Sequence, residues 1–455
     1  MQHSKPQPSA ASDPMSRTSW SHIWSISWPI FLANITVPLV GAADTAMMGR
    51  LSDPAFIGGV ALGSLVFNFL YFGLGFVRMC TTGLVAQAHG REDESEIERI
   101  MVRGLVIAIS FGILAILSAP LTLWVTNLAL AASERVESLM NLYVGIRLYA
   151  VPAALGNMVL LGVLFGRQQM RLCMLQLLLI NLTNLGLNLF FVLHLGMQIE
   201  GVALASVIAQ WSGFGIMLAI ISWRWRAMFA GFWQRVINRR PAWLDVAAFG
   251  QFFVLGRDLV IRTVLLLGCE ALLLNNAAML SDLDLAAAQL AMTVFALICF
   301  GLDGYAHAAE ALVGEAIGRK DRQMLDRVIW RSTIMAAVTS MALFALAWIG
   351  GGYLIRLLTT QPELIAMAEA HWFWIVLMAP TMVIAMQMDG IFVGATLSRE
   401  MRNGMIVASL IFAATIWMIA PYGLVGLLIG FNIYLLVRGF ALLGQIGRVQ
   451  RLTSG

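Results

Sequence analysis

The sequence predicts an all-α polytopic membrane protein with twelve transmembrane helices in two parallel six-helix repeats. Three observations predict it. Of 455 residues, 60% are hydrophobic and only 12% charged, whereas charged residues make up about a quarter of an ordinary soluble domain. The mean hydropathy is +0.81, carried in apolar runs each long enough to cross about 30 Å of hydrocarbon. A stretch of the first half recurs in the second at a fixed offset of 228 residues, the mark of an internal repeat.

Runs of about 20 apolar residues define the spans. The first six lie near 20–48, 54–88, 101–126, 138–165, 170–194 and 201–223, and the second six near 246–279, 285–317, 328–350, 364–395, 404–420 and 423–446. Pro38, Pro120, Pro152 and Pro380 fall inside spans and are expected to break them, which a membrane tolerates only where neighbouring groups satisfy the freed carbonyls. Basic residues near span ends are retained on the cytoplasmic side. Alternate loops carry 21 Lys and Arg on the side of the termini against three on the other, Arg50, Arg135 and Arg356. Both termini are therefore expected in the cytoplasm. The first apolar segment is too long for a signal-peptide core, so it is expected to stay as a span.

In the repeat, Gly73 to Asp93 aligns with Gly301 to Asp321 without a gap, with eight identities in 21 positions. The same offset carries Pro152 onto Pro380, Gly162 onto Gly390, Gly166 onto Gly394 and Arg171 onto Arg399. Six spans per repeat is an even number, so the halves enter the membrane in the same direction and are related by an axis along its normal, with a substrate site expected between them. The expected organisation is a cytoplasmic tail (1–18), an amino-terminal lobe (19–223), a linker (224–244), a carboxy-terminal lobe (245–447) and a second tail (448–455). The linker alternates apolar and basic residues at helical spacing, which suits either a helix lying at the cytoplasmic headgroups or a basic loop.

Several functions are excluded by residue type. The only lysines are Lys5 and Lys320, and neither sits in the Gly-Lys-Ser/Thr context of a phosphate-cradling loop. No basic patch with interleaved aromatics suggests nucleic acid. Zinc-protease, paired-cysteine and nucleophile-elbow motifs are lacking, so no enzyme is expected. Cys80, Cys173, Cys269 and Cys299 lie far apart inside apolar runs and read as core residues.

Polar groups inside spans are costly, so they are the candidate functional residues. Asp44 lies in the first span, six residues beyond Pro38, with Asn34 on the same segment; it is either a coupling acid or a solvated acid near the interface. Asn181, Asn184 and Asn188 fall on one face of the fifth span, serving as interhelical hydrogen-bonding groups or as a relay. Asp303, His307 and Glu310 form a stripe in the eighth span, with Asp389 in the tenth and Glu270 in the seventh. His307 is a packing residue or, with its acidic neighbours, a proton carrier. Asp258 and Arg262, four residues apart, read as a structural pair. Arg78, Arg147, Arg257 and Arg438 are intramembrane cations able to hold phosphates.

Four segments, NITVPLVGAADTAMMGRL, RMCTTGLVAQAHG, GLDGYAHAAEALVGEAIG and MDGIFVGATLSREMRNGM, resemble the DinF branch of the multidrug and toxic compound extrusion (MATE) family. The resemblance spans essentially all twelve helices. It implies two six-helix lobes forming a V-shaped transporter, alternating access, and export of amphipathic organic compounds against an inward proton or sodium gradient, with no cofactor beyond that gradient. It further implies a multi-pass protein of the bacterial inner membrane whose partners are small amphipathic substrates, a coupling cation and membrane lipids; a monomer is expected. Asp44 occupies the motif of the family's coupling-ion acid, and the fifth-helix polar cluster falls on Asn184 and Asn188. Some related members place an acid in that cluster; this chain has none. Asp303 and Asp389 fall in matching motifs. A flippase for a lipid-linked anionic substrate shares the wider fold and is the alternative.

Overall fold

In lipid every backbone polar group must be satisfied within the chain, which leaves the helix as the solution for apolar runs of this length. The computed structural model describes residues 18–48, 55–129, 132–226 and 245–454, and of residues 35, 37–48, 129 and 420 the backbone alone. Most of the linker, residues 227–244, lies outside the described residues. The described elements are α1 (Trp20–Met48), α2 (Ala55–Leu74), α3 (Phe76–Gly90), α4 (Glu94–Leu117), α5 (Ala119–Ala129), α6 (Glu134–Arg147), α7 (Val151–Gly166), α8 (Met170–Asn188) and α9 (Ile199–Arg224). They continue with α10 (Val246–Leu280), α11 (Asp282–Gly318), α12 (Arg322–Leu358), α13 (Pro362–Val376), α14 (Met378–Gly394), α15 (Ser398–Ile419), α16 (Gly423–Leu443) and the short α17 (Ile446–Arg451). Among the described residues these helices overlie each expected span, and nine of the resulting runs, or ten counting one bent pair, are long and apolar enough to cross a membrane. Large apolar side chains stand exposed on the outer faces, among them Leu117, Trp223, Ile349 and Trp417, where hydrocarbon would be their solvent.

Prolines set three of the breaks. The ring clashes with the carbonyl four residues back and restrains the preceding residue. Thus α4 gives way to α5 just before Pro120, a 3₁₀ turn over Leu148–Ala150 precedes Pro152, and α13 meets α14 at a 40° bend just before Pro380. The expected break at Pro38 is corrected, because α1 runs through it without interruption; losing one N–H does not oblige a membrane helix to end.

The repeat is legible in the backbone. Among the described residues, four other than glycine have positive φ: Glu92 (58°), Gln168 (57°), Lys320 (56°) and Thr396 (56°). They form two pairs at the offset of 228. Each follows a helix end closed by the same two bonds: Glu92 N–H donates to His89 O and Asp93 N–H to Ala88 O, as Lys320 does to Ile317 and Asp321 to Ala316. This is the left-handed turn that caps orphan carbonyls. Asp93 and Asp321, also at the offset, then cap the next helices by accepting from Glu96 N–H (3.0 Å) and Met324 N–H (2.9 Å).

By contacts the chain divides into two compact units, one of Leu32–Val264 and the other of Met1–Phe31 with Leu265–Gly455. In the first, α3 and α7 touch through backbone: a Cβ on Gly162 would stand 2.8 Å from Arg78 O, and one on Gly166 2.9 Å from Ala86 N. In the second, α11 and α14 repeat this contact at matched positions, with Gly390 against the Ala306 carbonyl and Gly394 against Glu310 O and Gly314 N. The start of α1 belongs to the second unit, where Gly304 admits Phe31, whose ring lies 5.1 Å from that of Tyr305. The start of α10 belongs to the first, where Gly256 admits Phe76.

Candidate functional site: polar clusters inside the helix bundles

In the first unit, α1 carries Asp44 in a continuous helix, although the Asp44 side chain lies outside the described residues. Asn34 is half-buried on the same helix. The asparagines of α8 point to different neighbours. Asn181 Nδ2 donates to Thr36 Oγ1 of α1 (2.8 Å), Asn184 Nδ2 to Ser206 Oγ of α9 (3.1 Å), and Asn188 Nδ2 to Asn184 Oδ1 (3.2 Å). Asn184 and Asn188 are buried, so this face lies within the bundle and ties α1, α8 and α9.

A second polar network in this unit carries no periodic signal in the sequence, because three different helices supply one residue each. Asn157 of α7 donates to Gln210 Oε1 and Gln210 O of α9, both at 2.9 Å, while Gln176 Nε2 of α8 donates to Asn157 Oδ1 at 2.9 Å. Gln176 is fully buried. Such a network specifies one arrangement of its helices because every unmade bond inside is costly. Arg147 of α6 stacks on the rings of Phe67 (4.7 Å) and Tyr143 (5.4 Å) and donates to the Tyr143 hydroxyl. Arg78 lies over Phe165 at 5.5 Å. Asp258 is buried and receives Arg257 Nη2 at 3.2 Å, an adjacent partner beyond the expected Arg262, which is itself buried.

In the second unit the predicted stripe of α11 is partly assembled. His307 Nδ1 lies 3.1 Å from Glu310 Oε2, and Asp303 is half-buried one turn earlier. Asp389 of α14 is ion-paired with Arg438 of α16 through a short contact, the two side chains 13% and 10% exposed. That pairing joins residues 49 positions apart on separate helices, which a single-helix pattern does not reveal. Two turns earlier on α14, Thr381 donates to Asn432 Oδ1 (2.9 Å), and Asn432 donates to Trp374 O (3.0 Å), tying α13, α14 and α16. Among the described residues no three His, Cys, Asp or Glu side chains are placed to hold a metal ion.

Ion pairs at the helix ends carry the loop charge. Arg167, at the end of α7, grips Glu94 at the start of α4 through two bonds of 2.6 and 3.0 Å and lies 4.2 Å from the Trp225 ring. Between α3 and α4, the Ser95 hydroxyl holds the Asp93 carboxyl below the ordinary range of aspartate, aided by the Glu96 N–H, Arg99 and Arg91 and opposed by partial burial.

Long apolar helices in two repeats with matched turns and glycine contacts, and polar clusters inside each bundle, define a multi-pass membrane protein of the two-repeat transporter class. The chain belongs to the MatE family, whose model matches residues 29–190 and 259–418, one segment in each repeat. It is 33% identical over 426 residues to the "DNA damage-inducible protein F" of Escherichia coli (strain K12), covering 92% of this chain and 90% of that one. A "Probable multidrug resistance protein NorM" of Synechococcus is 26% identical over 315 residues, covering 67% of this chain and 65% of that protein. Among solved structures, a MOP superfamily transporter from Pyrococcus furiosus superposes with a TM-score of 0.83 at 16% identity, covering 98% of this chain and 99% of that one; at that identity the likeness concerns the fold.

Proposed function

We propose that the chain is a secondary exporter of amphipathic organic compounds, exchanging them for protons or sodium ions by alternating access. The observation that carries this reading is the repeat. Two units built on one backbone plan, down to matched positive-φ residues and matched glycine contacts, provide the two bodies that such a cycle needs. Membership of the MatE family supports export, and the names of the relatives supply the multidrug class. Asp44 is the proposed coupling acid of the amino-terminal half, with the Asn181, Asn184 and Asn188 face as its polar surroundings. A ligand and an ion exchange when they favour different states of one element, and the portion of α1 beyond Pro38 is the proposed element.

The proposed setting is a bacterial inner membrane with both termini cytoplasmic, supported by the asymmetry of 21 to three basic residues in alternate loops. The test is reconstitution in liposomes with proton and sodium gradients imposed independently, scored with the cationic dye ethidium. Dye movement should follow one of the two gradients. Movement indifferent to both would contradict exchange. Orientation is tested with single cysteines at Arg322 and Gly352, which should label from opposite faces.

A further inference from the structure

Not every titratable residue follows the scaffold that the repeats share. At the offset of 228, His307 corresponds to Met79 and Glu310 to Thr82. The surrounding backbone contacts are the same, since Gly166 abuts Ala86 in one unit and Gly394 abuts Gly314 in the other. Thr82 needs nothing beyond its own helix, where its hydroxyl donates to Arg78 O at 3.0 Å. The second unit has at this position a carboxyl only 3% exposed, facing an imidazole that is 19% exposed, at 3.1 Å. Packing alone asks for no such pair. The couple lies eight residues before the end of α11 at Gly318, about 12 Å along the helix at 1.5 Å per residue, inside the span expected over 285–317.

We infer that His307 and Glu310 are a proton-binding couple of the second unit, with the sealed carboxyl holding the proton and the part-exposed imidazole passing it to and from water. The step balances. A proton taken up at Nε2 gives an imidazolium, which passes its Nδ1 proton to Glu310 Oε2; the result is a neutral imidazole protonated at Nε2 and a neutral carboxylic acid. Release is the reverse. Without the proton the pair has one net negative charge among packed helices, and with it none, so occupancy changes what the interior must solvate.

The contacts of α11 set which charged groups surround the couple. Gly304 against Phe31 and Ser27 O places His22 of α1 toward the couple's level, and Tyr305 bonded to Thr339 does the same for Arg331 of α12, which donates to Thr18 O at 2.7 Å. From α14 comes Asp389, held by Arg438 of α16. On α11 itself, Asp303 lies one turn before the couple, and Glu315 beyond it is held by Arg319 at 2.9 Å. Helix α13 also packs on α11 and carries Glu363, Glu369 and His371; its contacts with α12 fall at Ala347 and Gly351, two or more turns beyond Thr339 toward the opposite end of α12.

The inference rests on the ion-exchange reading above and adds a site distinct from Asp44. Two measurements test it separately from that reading. Infrared difference spectra of the purified protein between about pH 5 and about pH 9 need neither gradient nor substrate. A carboxylic-acid band should be present, absent in Glu310→Gln, and titrate at a shifted pH in His307→Asn. In liposomes with an imposed proton gradient, ethidium export by Glu310→Gln should fall about tenfold, the equivalent of one pKa unit of coupling energy, and His307→Asn should alter the pH profile of export. Wild-type spectra in Glu310→Gln, or export by that variant at the wild-type rate, would overturn the inference. If Glu310→Gln does not fold, the His307→Asn titration decides, and an unshifted band overturns it. Failure of Asp44→Asn to impair export would leave the infrared result standing.

Discussion

The shared backbone plan depends on two glycines of α14, and Gly390→Ala tests it most simply. A methyl at Gly390 would run into the Ala306 carbonyl, with its carbon 2.9 Å away, where carbon contacts settle at about 3.5 Å or more. The obstacle is helix backbone, and the carbonyl oxygen is nearer still, so α11 and α14 must part by at least roughly 0.6 Å instead of a side chain turning aside. Overpacking of this kind costs about 1–3 kcal/mol, and alanine recovers about 1 kcal/mol of helix propensity over glycine. The expected net loss is up to roughly 2 kcal/mol, and Gly394→Ala, facing Glu310 O, should behave alike. Gly404→Ala is the control, since a Cβ there would find Leu442 Cδ2 at 3.4 Å and Ala441 Cβ at 3.7 Å, ordinary contact. Thermal melting in detergent, followed by size-exclusion chromatography, should place Gly390→Ala and Gly394→Ala below wild type and Gly404→Ala at or above it. Gly390→Ala melting with the control would refute the argument that backbone contact sets this interface.

Other outcomes follow from the polar clusters. Breaking the Asp389–Arg438 pair with Asp389→Asn should destabilise by about 3–5 kcal/mol, because it strands a buried cation, and adding Arg438→Met should restore most of the melting temperature. Asn157→Ala, which leaves both Gln176 and Gln210 short of a bond, should cost about 1–3 kcal/mol. Asn181→Ala should cost less, since Thr36 keeps its 2.6 Å bond to Ala33 O. Asp93→Ala should cost about 1 kcal/mol as a lost helix cap. Because the folded state lowers the Asp93 pKa, this contribution is complete above the unfolded value and lost as pH falls through the folded one. The gap between wild type and variant should therefore close below about pH 4.

Hydropathy located the described spans though not the short α17 beyond the last of them, and the offset of 228 aligned the residues that form matched caps and glycine contacts, because these depend on local backbone demands that a linear pattern records. Asn184 and Asn188 were legible for the same reason: one helix face carries them both. The Asn157–Gln176–Gln210 network and the Asp389–Arg438 pair were not, since their members sit singly on separate helices and only packing brings them together. Pro38 misled in the opposite sense. Its ring suggested a break by local rules, while the helix around it continues.

In the exchange proposed above, ion binding at Asp44 drives export. Asp44→Asn keeps the size of the side chain and fixes it neutral. Purified, shown to melt as wild type, and reconstituted with an imposed proton or sodium gradient, it should bind ethidium with an affinity insensitive to pH and move none of it in response to the gradient. Gradient-driven export by Asp44→Asn at the wild-type rate would contradict coupling at this acid.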